Sequence, residues 1–159
     1  MTRSKASSIE FELNNAVREG NLDKVKQLVA ENPYKREIIE HNLRVALQEG
    51  EKKITNYLFK RVGYKKKLFE YIQNVNYIDR LYELLNHNNI KLTILDLKHI
   101  LEYGGIAPEM YSHILKFFED VLSQRSYTLE EYNDLLEFTG NNQISELIKY
   151  YRDQYKTKL

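Results

Sequence analysis

One phrase is written twice near the start of this chain, thirty residues apart. Ala16-Val17-Arg18-Glu19-Gly20 with Leu28-Val29 becomes Ala46-Leu47-Gln48-Glu49-Gly50 with Leu58-Phe59. A period between twenty and fifty residues constrains a fold strongly, because one helix pair cannot bury its apolar face alone and must stack on a neighbour that has the same problem. The chain is therefore expected to build from stacked helical hairpins.

Helix signals recur along the rest of the sequence. Ser7-x-x-Glu10, Asn76-x-x-Asp79, Thr93-x-x-Asp96 and Thr128-x-x-Glu131 each set a capping side chain three residues before an acid, the pattern of a capping box or a close relative of it. Pro33 and Pro108 suit a first helical turn, where a missing amide proton costs nothing. Apolar residues fall on one stripe of a 3.6-residue period, as in Leu22, Val25, Leu28 and Val29, in Ile78, Leu81, Leu84 and Leu85, and in Ile144, Leu147, Ile148 and Tyr151. These marks predict an all-α chain of about ten helices, roughly 8–19, 22–31, 34–49, 51–62, 65–74, 77–87, 94–103, 108–123, 129–138 and 142–156. Arranged as five antiparallel pairs, they form an α-solenoid. Leu28, Leu58, Leu84, Phe118 and Leu147 are expected inside, and the helix over 108–123 is expected to be the most buried.

The 159 residues suit one helical-repeat domain over 1–159. Only six Gly and two Pro interrupt them, which favours helices over a turn-rich sheet protein. The absence of cysteine removes disulfides, thiolate metal sites and thiol nucleophiles. The polar start lacks the apolar core of a signal peptide, and no stretch is apolar for long enough to span a bilayer, so a soluble, cytoplasmic protein is expected. The net charge of +1 conceals an uneven distribution: Tyr34 to Lys67 holds ten Lys/Arg and four Glu, whereas Glu102 to Glu137 holds eight acids and two cations. Such a chain is electrically polar along its length.

Residues 13–33 resemble an ankyrin repeat. Ala16-Val17 fall where that family has paired small residues, Gly20-Asn21 at its inter-helix turn, and Asp23, Val25, Leu28 and Val29 in its second helix. Residues 43–63 keep the register through Leu43, Ala46, Leu47, Gly50, Ile54, Leu58 and Phe59, with Thr55 in place of a valine, and Glu83 to Ile90 resembles the end of a divergent unit. The family's Thr-Pro-Leu-His opening and its Gly-Ala-Asp-x-Asn finger segment are absent. The resemblance implies an ankyrin-like α-solenoid with reduced or absent β-hairpin fingers, and a binding protein; helical repeats of another type compete with it. Abundant Ile, Asn, Lys and Tyr suggest an AT-rich coding sequence, and with it a microbial or viral factor acting in a host cytosol.

Chemistry is hard to place on this sequence. No two of His41, His87, His99 and His113 are three or four residues apart, as a helical metal site requires, although Glu37 and His41 are helical neighbours. A Gly-x-Ser-x-Gly elbow is missing, and Gly104-Gly105 lacks the lysine of a phosphate-binding loop. The expectation is a non-enzymatic protein-interaction module with no cofactor and no metal. The one local surface signal is the basic run Lys60-Arg61-Val62-Gly63-Tyr64-Lys65-Lys66-Lys67. Lys60, Arg61, Tyr64, Lys65, Lys66 and Lys67 form the candidate binding patch for an acidic protein partner. The alternative is an adaptor for phosphates, nucleic acid or membrane headgroups, since cations beside aromatic rings neutralise phosphates and stack on bases; near-neutral overall charge argues against a dedicated nucleic-acid binder.

Overall fold

The structure is a computed structural model that describes residues 5–71, 75–104, 108–139 and 142–157. Among them are nine α-helices and one 3-10 helix, and no strand. The helices are α1 (Lys5–Arg18), α2 (Leu22–Glu31), α3 (Arg36–Glu49), α4 (Lys52–Val62), α5 (Val75–His87), α6 (Ile94–Gly104), α7 (Pro108–Gln124), α8 (Leu129–Thr139) and α9 (Gln143–Thr157), with the 3-10 helix at Lys66–Tyr71 between α4 and α5. Contacts divide the chain into two compact units, Met1–Lys65 and Lys66–Leu159.

In unit 1 the repeated phrase ends both first helices in the same way. Gly20 and Gly50 adopt φ of 71° and 77°, and the following amides reach back five residues, Asn21 N to Ala16 O and Glu51 N to Ala46 O, each at 2.9 Å. This is the six-to-one bond of a Schellman motif, which uses a left-handed residue to satisfy carbonyls at a helix end. The turn folds α2 back onto α1 and α4 back onto α3, and α1 in turn packs on α3. Ala16, Val17, Ala46 and Leu47 are 1% exposed or less, small enough at the alanines for the hairpins to approach closely. Thr55, at the position of the anticipated valine, is buried and donates its hydroxyl to Glu51 O at 2.7 Å. A β-branched side chain is poorly tolerated at positive φ, so Gly20→Val and Gly50→Val are each expected to cost about 1–3 kcal/mol. At Gly20 the backbone conformation carries the effect, because a Cβ there would meet only the end of the flexible Glu51 side chain. Urea midpoints matching the parent in both variants would overturn the shared turn.

Unit 2 packs in alternation. The 3-10 helix lies on α6 and α6 on α8, while α5 lies on α7 and α7 on α9; α8 and α9 close the unit as a pair. Two of the four capping patterns read from the sequence are present here. Thr93 N donates to Asp96 Oδ2 at 2.8 Å while Asp96 N donates back to Thr93 Oγ1 at 3.2 Å; Thr128 and Glu131 exchange bonds of 2.9 and 3.1 Å. Reciprocal bonds of this kind satisfy two donors that a helix start leaves open. The centre of the unit is α7, which buries Ile114, Phe117, Phe118, Val121 and Leu122.

Several expectations are revised by the structure. The helix expected over 65–74 is a 3-10 helix over Lys66–Tyr71, and residues 72–74 lie outside the described residues. Pro33 precedes α3 in an extended link instead of opening it, whereas Pro108 does begin α7. Ser7 and Asn76 fall inside α1 and α5 because those helices begin at Lys5 and Val75. Leu147 is only half-buried; Ile144 and Ile148, at 2% and 0% exposure, take the interior of α9. The linking residues Gly105, Gly140 and Asn141 lie outside the described residues.

Candidate functional site

The exposed side of α4 is built from its sequence register. Leu58, Ile54, Thr55, Phe59 and Val62 face inward, which leaves Lys53, Tyr57, Lys60 and Arg61 on the outer stripe at spacings of four, seven and eight residues. Lys52, Lys53, Lys60 and Arg61 are exposed, and α4 contains no acid. The two C-terminal cations suit the negative end of the helix dipole, but Lys52 and Lys53 sit at the positive end, where the dipole favours acids. Their placement gives the helix no stability and a strongly cationic face.

Tyr57 organises that face. The Arg61 guanidinium donates to the Tyr57 hydroxyl at 2.7 Å and sits 5.0 Å from its ring centroid. Lys26, from α2, places its ammonium 5.8 Å from the same centroid. Both distances fall within the range of cation–π attraction. Reading the basic run alone misses Lys26, although the thirty-residue repeat aligns it with Asn56, the neighbour of Tyr57.

The six residues of the sequence-read patch have different surroundings. Lys60 and Arg61 are exposed on α4, and Tyr64 is half-buried. Lys65 bonds to Glu40 at 2.9 Å, and Arg36 reaches the same carboxylate at 3.1 Å. Burial pushes the Glu40 carboxyl up, but the hydrogen bonds and charges of Lys65 and Arg36 outweigh it and hold the group below its ordinary value. Arg36 also donates to the Val62 carbonyl. Lys65 and Arg36 thus fasten the end of α4 to α3. Lys67 is exposed on the 3-10 helix of unit 2, and the Lys66 side chain lies outside the described residues.

Histidines make paired contacts. His113 Nδ1 lies 3.1 Å from Asp79 and His99 Nε2 lies 3.2 Å from Glu70, while burial and the charges of Arg44 and Arg18 push His41 below its ordinary pKa. Among the described residues no group of three or more His, Asp and Glu side chains could hold a metal ion, and no helix is long and apolar enough to cross a membrane. Comparison with protein-family models, with curated proteins and with solved structures finds no match to this chain.

Proposed function

We propose that this chain is a non-enzymatic protein-interaction module, a helical-repeat scaffold of ankyrin-like type without β-hairpin fingers, working in a cytosol. The observation that carries the binding role is the outer stripe of α4, where Lys53, Lys60 and Arg61 surround Tyr57 with no acid among them. Its partner is an acidic protein surface, with Tyr57 as the contact that excludes water and the cations as steering groups. The repeat architecture is supported by a group of the long-range bonds. Arg18–Glu49, Asp79–His113, Arg125–Leu92, Lys98–Asp134 and Tyr111–Ile144 join residues 31 to 36 apart in sequence, near the thirty-residue repeat, whereas Tyr34–Ile9, Arg36–Val62 and Tyr82–Gln124 span 25, 26 and 42.

The test uses a labelled peptide of glutamate and leucine and a labelled oligo-dT as probes. Exposed charges govern encounter, so Lys53→Glu with Lys60→Glu and Arg61→Glu should slow association of the acidic peptide about tenfold at low salt. Tyr57→Ala should act on dissociation instead. An unchanged association rate would remove α4 as the binding face. Tighter binding of oligo-dT, weakening steeply as salt rises, would replace the acidic protein with a phosphate-bearing ligand.

A further inference from the structure

Unit 2 carries a second surface, of opposite sign and built from different elements. The first turns of α6 and α8 open side by side onto a groove of about 940 Å³, with Ile94, Leu95 and Leu129 as its apolar residues and Glu130, Asp134 and Glu137 along its α8 edge. Leu95 is 64% exposed, directly after the buried Ile94. A leucine on that face contributes little to the core and leaves apolar area in water, which marks a contact surface when it lies in a concave site.

The acids divide by cause. Glu130 and Glu131 occupy the first turn of α8, where the dipole favours them, and Glu131 also bonds the Thr128 amide. Asp134 is joined to Lys98 of α6 at 2.6 Å, which clamps the two walls of the groove together. Glu137 stands in the last turn of α8, where the dipole disfavours an acid and no basic residue accompanies it. Helix formation therefore leaves Glu137 unexplained. Glu130 and Glu137 are seven residues apart on one face, which places them about 10.5 Å apart along the axis.

We propose that this groove docks a cationic amphipathic helix from another protein, seating an apolar side chain against Leu95, Ile94 and Leu129 and two Lys or Arg side chains, seven residues apart, against Glu130 and Glu137. Two elements of the site select that occupant. The carboxylate spacing equals two turns of an α-helix, so a helical partner presents both cations from one face, and the exposed leucine on the α6 side of the groove demands an apolar stripe beside them. Charge complementarity favours a cationic segment and repels an acidic one.

The probe is a labelled 18-residue peptide of Leu, Ala and Lys, with leucines on one stripe and lysines at seven-residue spacing along its edge. It is titrated into the full chain and followed by fluorescence anisotropy. Glu130→Lys with Glu137→Lys should weaken binding about tenfold or more, and Leu95→Asn about fivefold. Glu119→Lys with Asp153→Lys, an equal charge change on α7 and α9, should leave it within about twofold. Equal weakening by both charge pairs would reduce the attraction to overall charge and overturn the groove. An unaltered affinity in Leu95→Asn would overturn the apolar seat. Sedimentation showing the chain to self-associate, with the groove variants dissociating it, would place a second copy there and overturn the heterologous helix. All three variants change exposed residues of unit 2, so their failure leaves the α4 reading untouched.

Discussion

Phe118→Ala is expected to remove about 3–5 kcal/mol from the stability of unit 2. Phe118 is 0% exposed at the centre of α7. Its ring meets Phe117 edge-on at 6.4 Å, and Phe117 in turn meets Phe69 of the 3-10 helix at 5.9 Å and Tyr82 of α5 at 5.2 Å. Truncation loses the transfer free energy of a whole ring and opens a cavity that rigid neighbours on both sides cannot fill. Because α7 packs on α5 and on α9, amide protection should fall in those three helices together. Phe138→Ala provides the contrast: that ring is 48% exposed on α8, and its loss should stay within about 0.5 kcal/mol. Similar urea midpoints for the two variants would contradict the placement of the core in α7.

Much of this arrangement could be read from the residues, for identifiable reasons. Helix ends are local chemistry, so Gly20, Gly50, Thr93 and Thr128 announced their turns and caps from types and spacings alone. The stripe of α9 was legible only as a face, not as a set of contacts. Ile144, Leu147 and Ile148 share it, and which of them is innermost depends on what α7 and α8 present. The 3-10 helix escaped because Leu68 and Phe69, adjacent and both buried, carry no period that separates three residues per turn from 3.6. Surface function was less legible. Lys65 reads as part of a basic run, yet Glu40 of α3 takes it; Lys26 reads as nothing, yet it lies 5.8 Å from the Tyr57 ring centroid. The α6–α8 groove joins two first turns thirty-five residues apart, a proximity that neither segment carries by itself. The information that was present and easily overlooked is an offset: Ile94 and Leu129, and Lys98 and Asp134, lie thirty-five and thirty-six residues apart, and comparing charge and shape at that separation brings them together.

Raising the pH from 10 to 12 is expected to withdraw on the order of 2 kcal/mol from the folded state through one residue, Tyr127. Its side chain is 2% exposed, and its hydroxyl donates to the Leu92 carbonyl at 2.7 Å. Burial pushes the phenol up; the Arg125 guanidinium, 5.0 Å from the ring centroid, pulls the other way, and Tyr132, Glu131 and Asp96 push it up further, to about 12 from an ordinary 10. The folded chain therefore keeps this proton over a range in which the unfolded chain has released it. With more protons bound in the folded state, stability falls as pH rises, being fully present below pH 10 and lost on approach to pH 12. Tyr34, Tyr82 and Tyr151 are also raised, each chiefly by burial, and a parent–variant comparison cancels them. Tyr127→Phe should cost only about 1 kcal/mol at neutral pH, because Arg125 Nη1 still donates to the Leu92 carbonyl at 2.7 Å. Above pH 10 the variant should lose stability more slowly than the parent, so that urea midpoints followed by circular dichroism converge and then cross. Profiles that run parallel from pH 8 to pH 12 would mean that the Tyr127 phenol ionises as freely in the folded chain as in water, against the burial and the hydrogen bond that anchor the α7–α8 link to Leu92.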